Sequence, residues 1–147
     1  MTVNIFQCSY DFRLQQWYEL RNKLKNEDIK HISIEVDKWW QKTPLINHYL
    51  HYDFIDSWPD PWELIYENTY CTYARGLGMI YTLYLLGIHN IDFVLAKDYN
   101  DEEVALVLVD DAKYLLNYWP DTVLNNSLQD FRITRPIKIN QILAKVK

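Results

Sequence analysis

Ser57 to Leu86 reads SWPDPWELIYENTYCTYARGLGMIYTLYLL, and this stretch decides the fold class. It opens with a helix start, Asp60-Pro61-Trp62-Glu63. Asp60 can accept from the third helical amide, Pro61 fits the first helical position, and Glu63 can reach back to the Asp60 amide as a capping box. A second start follows at Asn68 or Thr69. From there to Leu86 the residues are apolar nearly all round: Tyr70, Ala74, Leu77, Met79, Ile80, Leu83 and Leu85. A helix without a polar face is buried on several sides. Gly76 and Gly78 each cost about 1 kcal/mol of helix propensity against alanine, so packing has to compensate. Ala74 and Gly78, one turn apart, leave room for a close neighbour. Gly87 ends the helix.

Beyond Gly87 three strand-like segments follow: IDFVLAKD, EEVALVLVD and KYLLNY, at about 91–97, 103–109 and 113–118. A tight turn at Asp110-Asp111-Ala112 joins the last two, and links this short favour antiparallel pairing. DFRITRP predicts a further strand ended by Pro136, and INQILAKVK a short tail or helix. Upstream, Leu14, Trp17, Leu20 and Leu24 recur every three or four residues among charges, which predicts a surface helix from Asp11. Ile32, Ile34 and Val36 alternate with polar neighbours in HISIEV and predict a half-buried strand. Asp37 then caps a short turn carrying Trp39 and Trp40, Thr43 before Pro44 starts another helix, and residues 2–8 extend as a strand. The class predicted is α+β: a central buried helix at about 69–86 packed on an antiparallel sheet, with an N-terminal helical segment.

Composition limits the possible functions. A chain of 147 residues with no Ser/Gly-rich linker predicts a single domain over residues 1–147. The net charge is −5, but acids and bases alternate, so neither a basic stripe for nucleic acid nor a segregated acidic face is present. Cys8 and Cys71 lie far apart, and MTVNIFQCSYDF lacks a basic start with a long apolar run. Free thiols, a reducing compartment and no secretion signal are expected. Met79–Leu86 is the longest greasy run and is too short to cross a bilayer, so no membrane partner is expected. Aromatic residues make up 16% of the chain, with six Trp and twelve Tyr, which predicts rings on a surface that another protein covers.

Four groups of residues could carry a site. In HYLHYDFID, His48 and His51 could share a metal with Asp53 or Asp56, but no fourth ligand is evident, and the expectation is an amphipathic helix end without metal. Arg75, one turn after Cys71, could pin a carboxylate or phosphate, or neutralise Asp60 or Glu63. Asp101–Glu103 reads as a solvated loop between strands. Trp39, Trp40, Trp58 and Trp62 form either a satellite core or an aromatic anchor for a partner. No cofactor is expected.

A lone cysteine at the start of a buried helix, followed by antiparallel strands, resembles the core of the transglutaminase-like and papain-like superfamily over about residues 68–118. The resemblance implies Cys71 as nucleophile, its thiol activated by the helix N-terminus, and Asn117 in YLLNYWPD as the residue that orients a histidine base. The histidine is missing. The second strand opens NDEEVALVLV, and His31, His48, His51 and His89 all precede it. A degenerate site follows, with Cys71 and Asn117 as vestiges and the thiol as filler.

The combination WPDPWELI, YC, ARGLGMIYTL and YLLNY is also similar to small proteins of tailed bacteriophages. That likeness implies a virion part or a host-directed factor and attaches no role to any residue. The expected function is therefore a non-enzymatic protein-interaction module: a bacteriophage virion structural component of the neck or tail region, in contact with other protein subunits. Two alternatives stand beside it. One is a cysteine hydrolase or transferase using Cys71, with its base from a partner or from His89. The other is an intracellular phage factor that binds a host protein. The expected location is the virion or the host cytoplasm.

Overall fold

The chain is described by a computed structural model covering residues 4–46 and 49–146. Five helices and a four-stranded antiparallel sheet make it α+β. The helices are α1 (Tyr10–Leu24), α2 (Ile29–Trp40), α3 (Pro61–Glu67), α4 (Thr72–Leu85) and α5 (Ile139–Leu143). The strands are β1 (Ile91–Lys97), β2 (Glu103–Val109), β3 (Tyr114–Leu116) and β4 (Arg132–Ile137), in the order β3-β2-β1-β4.

The helix starts follow local chemistry. Ser9 caps α1 and Asp28 caps α2. At α3 the predicted capping box is complete, with the Glu63 amide donating to Asp60 Oδ1 at 2.8 Å and the Asp60 amide donating to Glu63 Oε1 at 3.0 Å. Asn68 ends α3 in the left-handed conformation (φ 53°), so α4 starts at Thr72, later than the sequence predicts. Arg13, on α1, covers the end of α3 by donating to the Ile65 and Tyr66 carbonyls.

The N-terminal half departs from expectation in three places. HISIEV lies inside α2, not in a strand, and Asp37 sits within that helix rather than capping a turn. The buried residues Ile32, Ser33, Val36, Asp37, Trp39 and Trp40 form one helical stripe, and burying the two indoles outweighs the short alternation. No helix starts at Thr43; its hydroxyl instead donates to the Trp40 carbonyl at 2.9 Å and closes the end of α2. Ile5–Gln7 forms a 3-10 turn capped by Asn4 where the sequence predicts a strand.

Helix α4 is the axis of the molecule. It packs on α2, α3, α5 and β2, which explains its lack of a polar face. Its glycines mark the closest approaches. A Cβ on Gly78 would stand 2.5 Å from the Trp40 ring, and one on Gly76 would stand 2.8 Å from Phe93. Thr82 ties the helices together. Its Oγ1 accepts from the indole N–H groups of Trp17 and Trp40, each at 2.9 Å, and donates to the Gly78 carbonyl at 2.7 Å. Three polar groups are thereby satisfied in a dry core.

The sheet is covered on both faces, so β1 and β2 read as continuous apolar runs. Phe93, Leu95, Ala105, Val107, Val109 and Leu116 belong to the core shared with the helices. Val94, Ala96, Leu106, Leu108 and Leu115 form a second layer under Tyr118, Leu128 and Phe131. The β2–β3 turn runs through Asp110, Asp111 and Ala112, all left-handed, and Asn90 braces it from the Asp110 amide to the Asp111 carboxylate. Among the described residues no helix is long and apolar enough to cross a membrane.

Candidate functional site

The site expected from the sequence lies at the start of α4. Cys71 is its N-cap, extended in backbone and 5% exposed, and its side chain makes no capping bond. Tyr49 and Tyr73 flank it. Burial raises both phenol pKa values, hydrogen bonds to Glu67 and Glu103 add to the rise, and the nearby thiol adds a little more.

One turn along α4, Arg75 enters a buried polar network that joins three elements. Its Nε donates to Asn117 Oδ1 at 2.5 Å. Asn117 follows β3 in the left-handed conformation (φ 73°), which an asparagine tolerates better than most residues. Its Nδ2 donates to the Thr72 carbonyl at 2.9 Å and the Ala105 carbonyl at 2.7 Å. Its backbone amide donates to Asp37 Oδ1 at 2.9 Å, an oxygen that also accepts from Gln41. Burial pushes the Asp37 carboxyl above its ordinary range, against the pull of the Asn117 and Gln41 bonds and of Arg75. Burial likewise lowers the Arg75 pKa, and the Asp37 charge opposes that. Asn117 bridges this buried acid and base, and its hydrogen bonds, the Gln41 bond and the opposite charges together offset the burial.

Asn117 therefore stands beside the start of α4, where the sequence places it, but its side chain is already engaged. An orienting asparagine needs its carbonyl oxygen facing an imidazole; here that oxygen holds Arg75. The expected partners of Arg75 are also corrected. Asp60 and Glu63 cap α3 on each other, and Asp37 is the acid beside Arg75. The sequence held a signal for this, because Asp37 falls on the buried stripe of a helix, where a carboxylate requires a partner.

The histidines are dispersed. His31 is exposed in the first turn of α2. His51 stacks on Tyr52 at 4.6 Å, and its Nδ1 accepts from the Asp53 amide. His89 stacks on Tyr84 past the far end of α4, about 20 Å of helix from Cys71. His48 lies outside the described residues. Among the described residues no hydrogen bond joins an imidazole to the Cys71 thiol, and no three His, Cys, Asp or Glu side chains stand together as metal ligands. Asp53 instead pairs with Arg135 at 3.0 Å.

The four tryptophans divide. Trp39, Trp40 and Trp58 are buried in the chain's own core, where Trp39 and Trp40 pack against Phe6 and Trp58 stacks on Tyr73. They are structural because α2 and the 55–57 turn face inward. Trp62 is 37% exposed on α3, edge-on to the buried Trp17 at 6.4 Å. Tyr66, one turn later, is 66% exposed and packs edge-on against Tyr10 at 5.1 Å. This second candidate site, an aromatic ridge across α1 and α3, is only partly foreshadowed by the tryptophan set.

No family model matches the chain, and no curated protein matches it.

Proposed function

We propose that the chain is a non-enzymatic protein-interaction module whose contact surface is the α1–α3 aromatic ridge. Trp62 and Tyr66 carry this reading: two large rings one turn apart on the outer face of α3, each seated on an aromatic residue of α1. Aromatic side chains on a rigid base lose little entropy on docking and commonly carry most of the binding energy. The resemblance of its sequence to small tailed-phage proteins supports a place in a virion, at the neck or tail, with another structural subunit as partner.

Incorporation tests it. The wild-type chain is expected in purified virions from cells that produce it, detected by mass spectrometry. Trp62→Ala/Tyr66→Ala is expected to lower its occupancy there tenfold or more, since two anchors at 2 kcal/mol or more each are lost. Each ring also packs edge-on against α1, so the variant's unfolding free energy should fall by about 1–3 kcal/mol, and binding is compared under conditions where it remains folded. Undiminished incorporation of the variant overturns the ridge. Absence from virions together with capture of a host protein supports the host-factor alternative instead.

A further inference from the structure

The cleft at the start of α4 has a different chemistry from the ridge. It encloses about 430 Å³, with Thr72, Arg75 and Asn117 at its base, Glu102 and Glu103 on one wall, and Leu45 and Trp119 at its mouth. Arg75 is only 8% exposed, and among the described residues just one of its side-chain nitrogens, Nε, is bonded to the protein. Among the described residues Nη1 and Nη2 have no hydrogen-bond partner. Among the described residues the unpartnered side-chain nitrogen or oxygen atoms sealed from solvent are Arg21 Nε and Asn68 Oδ1, so the two terminal nitrogens of Arg75 reach the cleft that the residue lines. Thr72, the first residue of α4, lines the same cleft. A buried guanidinium held at Nε, with both terminal nitrogens unused, matches a carboxylate.

The surroundings narrow the ligand. Asp37 already balances Arg75, and the β1–β2 side adds Asp98, Glu102 and Glu103. Asp98 is occupied by Tyr118 and two loop amides, and Glu103 by Tyr73. Glu102 has no side-chain partner among the described residues. A bare anion or a phosphate dianion would be repelled by this wall, whereas a carboxylate joined to a cation would satisfy both ends. Trp119, 64% exposed, offers a ring face to an aliphatic stem or a guanidinium.

We infer that this cleft binds the α-carboxylate of a basic residue, with Arg75 on the carboxylate and Glu102 on the side-chain cation. The residue can be a free basic amino acid or the C-terminus of a polypeptide. The cleft lies apart from the ridge residues Trp62 and Tyr66, so either site can fail alone.

Titrations followed by ¹H–¹⁵N NMR at the Thr72 amide, the Asn117 side-chain amide and the Trp119 indole test this. The probes are acetyl-Gly-Gly-Arg as the free acid, its C-terminal carboxamide, acetyl-Gly-Gly-norleucine acid, and free arginine. The arginine acid is expected to saturate all three signals, and the carboxamide to bind tenfold or more weakly, as loss of a charge-assisted pair implies. Arg75→Lys should weaken the acid by a similar factor while the Trp17 and Trp40 indole signals stay in place. Glu102→Gln should weaken the arginine acid several-fold and leave the norleucine acid unchanged. Free arginine matching the peptide assigns a small-molecule source; a tighter peptide assigns a chain end. No saturable shift at millimolar acid, or equal binding of acid and carboxamide, overturns the inference. Should Arg75→Lys lose the indole signals, Glu102→Gln decides: an unchanged arginine-to-norleucine ratio overturns it.

Discussion

Thr82→Val is expected to destabilise the protein by about 2–6 kcal/mol, because two buried indole donors lose their shared acceptor at about 1–3 kcal/mol each. Valine has nearly the shape of threonine, so no large cavity forms and the change isolates the hydroxyl. Trp17 and Trp40 both donate to Thr82 Oγ1, and both are shut off from water. Neither ring can turn toward another acceptor without leaving its packing against α4. Thr82→Ser keeps the oxygen and removes one methyl group, so its cost should stay near 1 kcal/mol. Denaturant unfolding of the three proteins measures this directly. A valine variant as stable as the serine variant would show that the indoles find other partners.

Gly78→Ala reverses the usual sign of a helical glycine substitution. In an exposed helix the change gains about 1 kcal/mol of propensity. Here the new methyl carbon would lie 2.5–2.6 Å from three atoms of the Trp40 ring. Trp40 cannot yield, because its N–H is held by Thr82 and its faces are held by Phe6, Trp39 and Tyr70. Overpacking of this kind costs up to about 3 kcal/mol when the ring must move as a block, and the propensity gain offsets about 1 kcal/mol, so a net loss of about 1–2 kcal/mol is expected. Gly87→Ala, at a left-handed position facing open space, should cost less than Gly78→Ala, since only backbone strain opposes it. Equal stability of Gly78→Ala and wild type in the same unfolding experiment would mean that Trp40 has freedom to shift.

Much of this architecture was legible because single residues determined it. The acid-proline-acid spacing at Asp60–Glu63 admits one helix start, and the doubly apolar runs at 91–97 and 103–109 admit a sheet covered on both faces. Gly87 and the Asp110–Ala112 turn marked the ends of their elements. What misled was a window too short for its pattern. Over Ile32–Val36 a period of two and a helical period both fit, and only the distant demand to bury Trp39 and Trp40 separates them. Asn68 misled for another reason: it ends one helix and does not start the next, and asparagine serves both purposes.

The site was legible in position and illegible in wiring. Cys71, Arg75 and Asn117 do converge at the start of α4. Yet Asp37, which completes the network, comes from a segment read as a turn after a strand, so its side chain had no address in the sequence. The tryptophans cluster in the chain and so resemble one set, whereas helix phase places Trp40 inside and Trp62 outside.

The reading of this protein as a surface-acting module requires Cys71 to be packing material, its neighbours occupied with holding α4 to the sheet. Alkylation of the native protein by iodoacetamide, followed peptide by peptide, examines that requirement. Cys8 is half-buried and should be modified readily, while Cys71, 5% exposed beneath aromatic neighbours, should react only as the fold opens. Native Cys71 modified as fast as Cys8 or faster would contradict it and restore the thiol as the working group of the molecule.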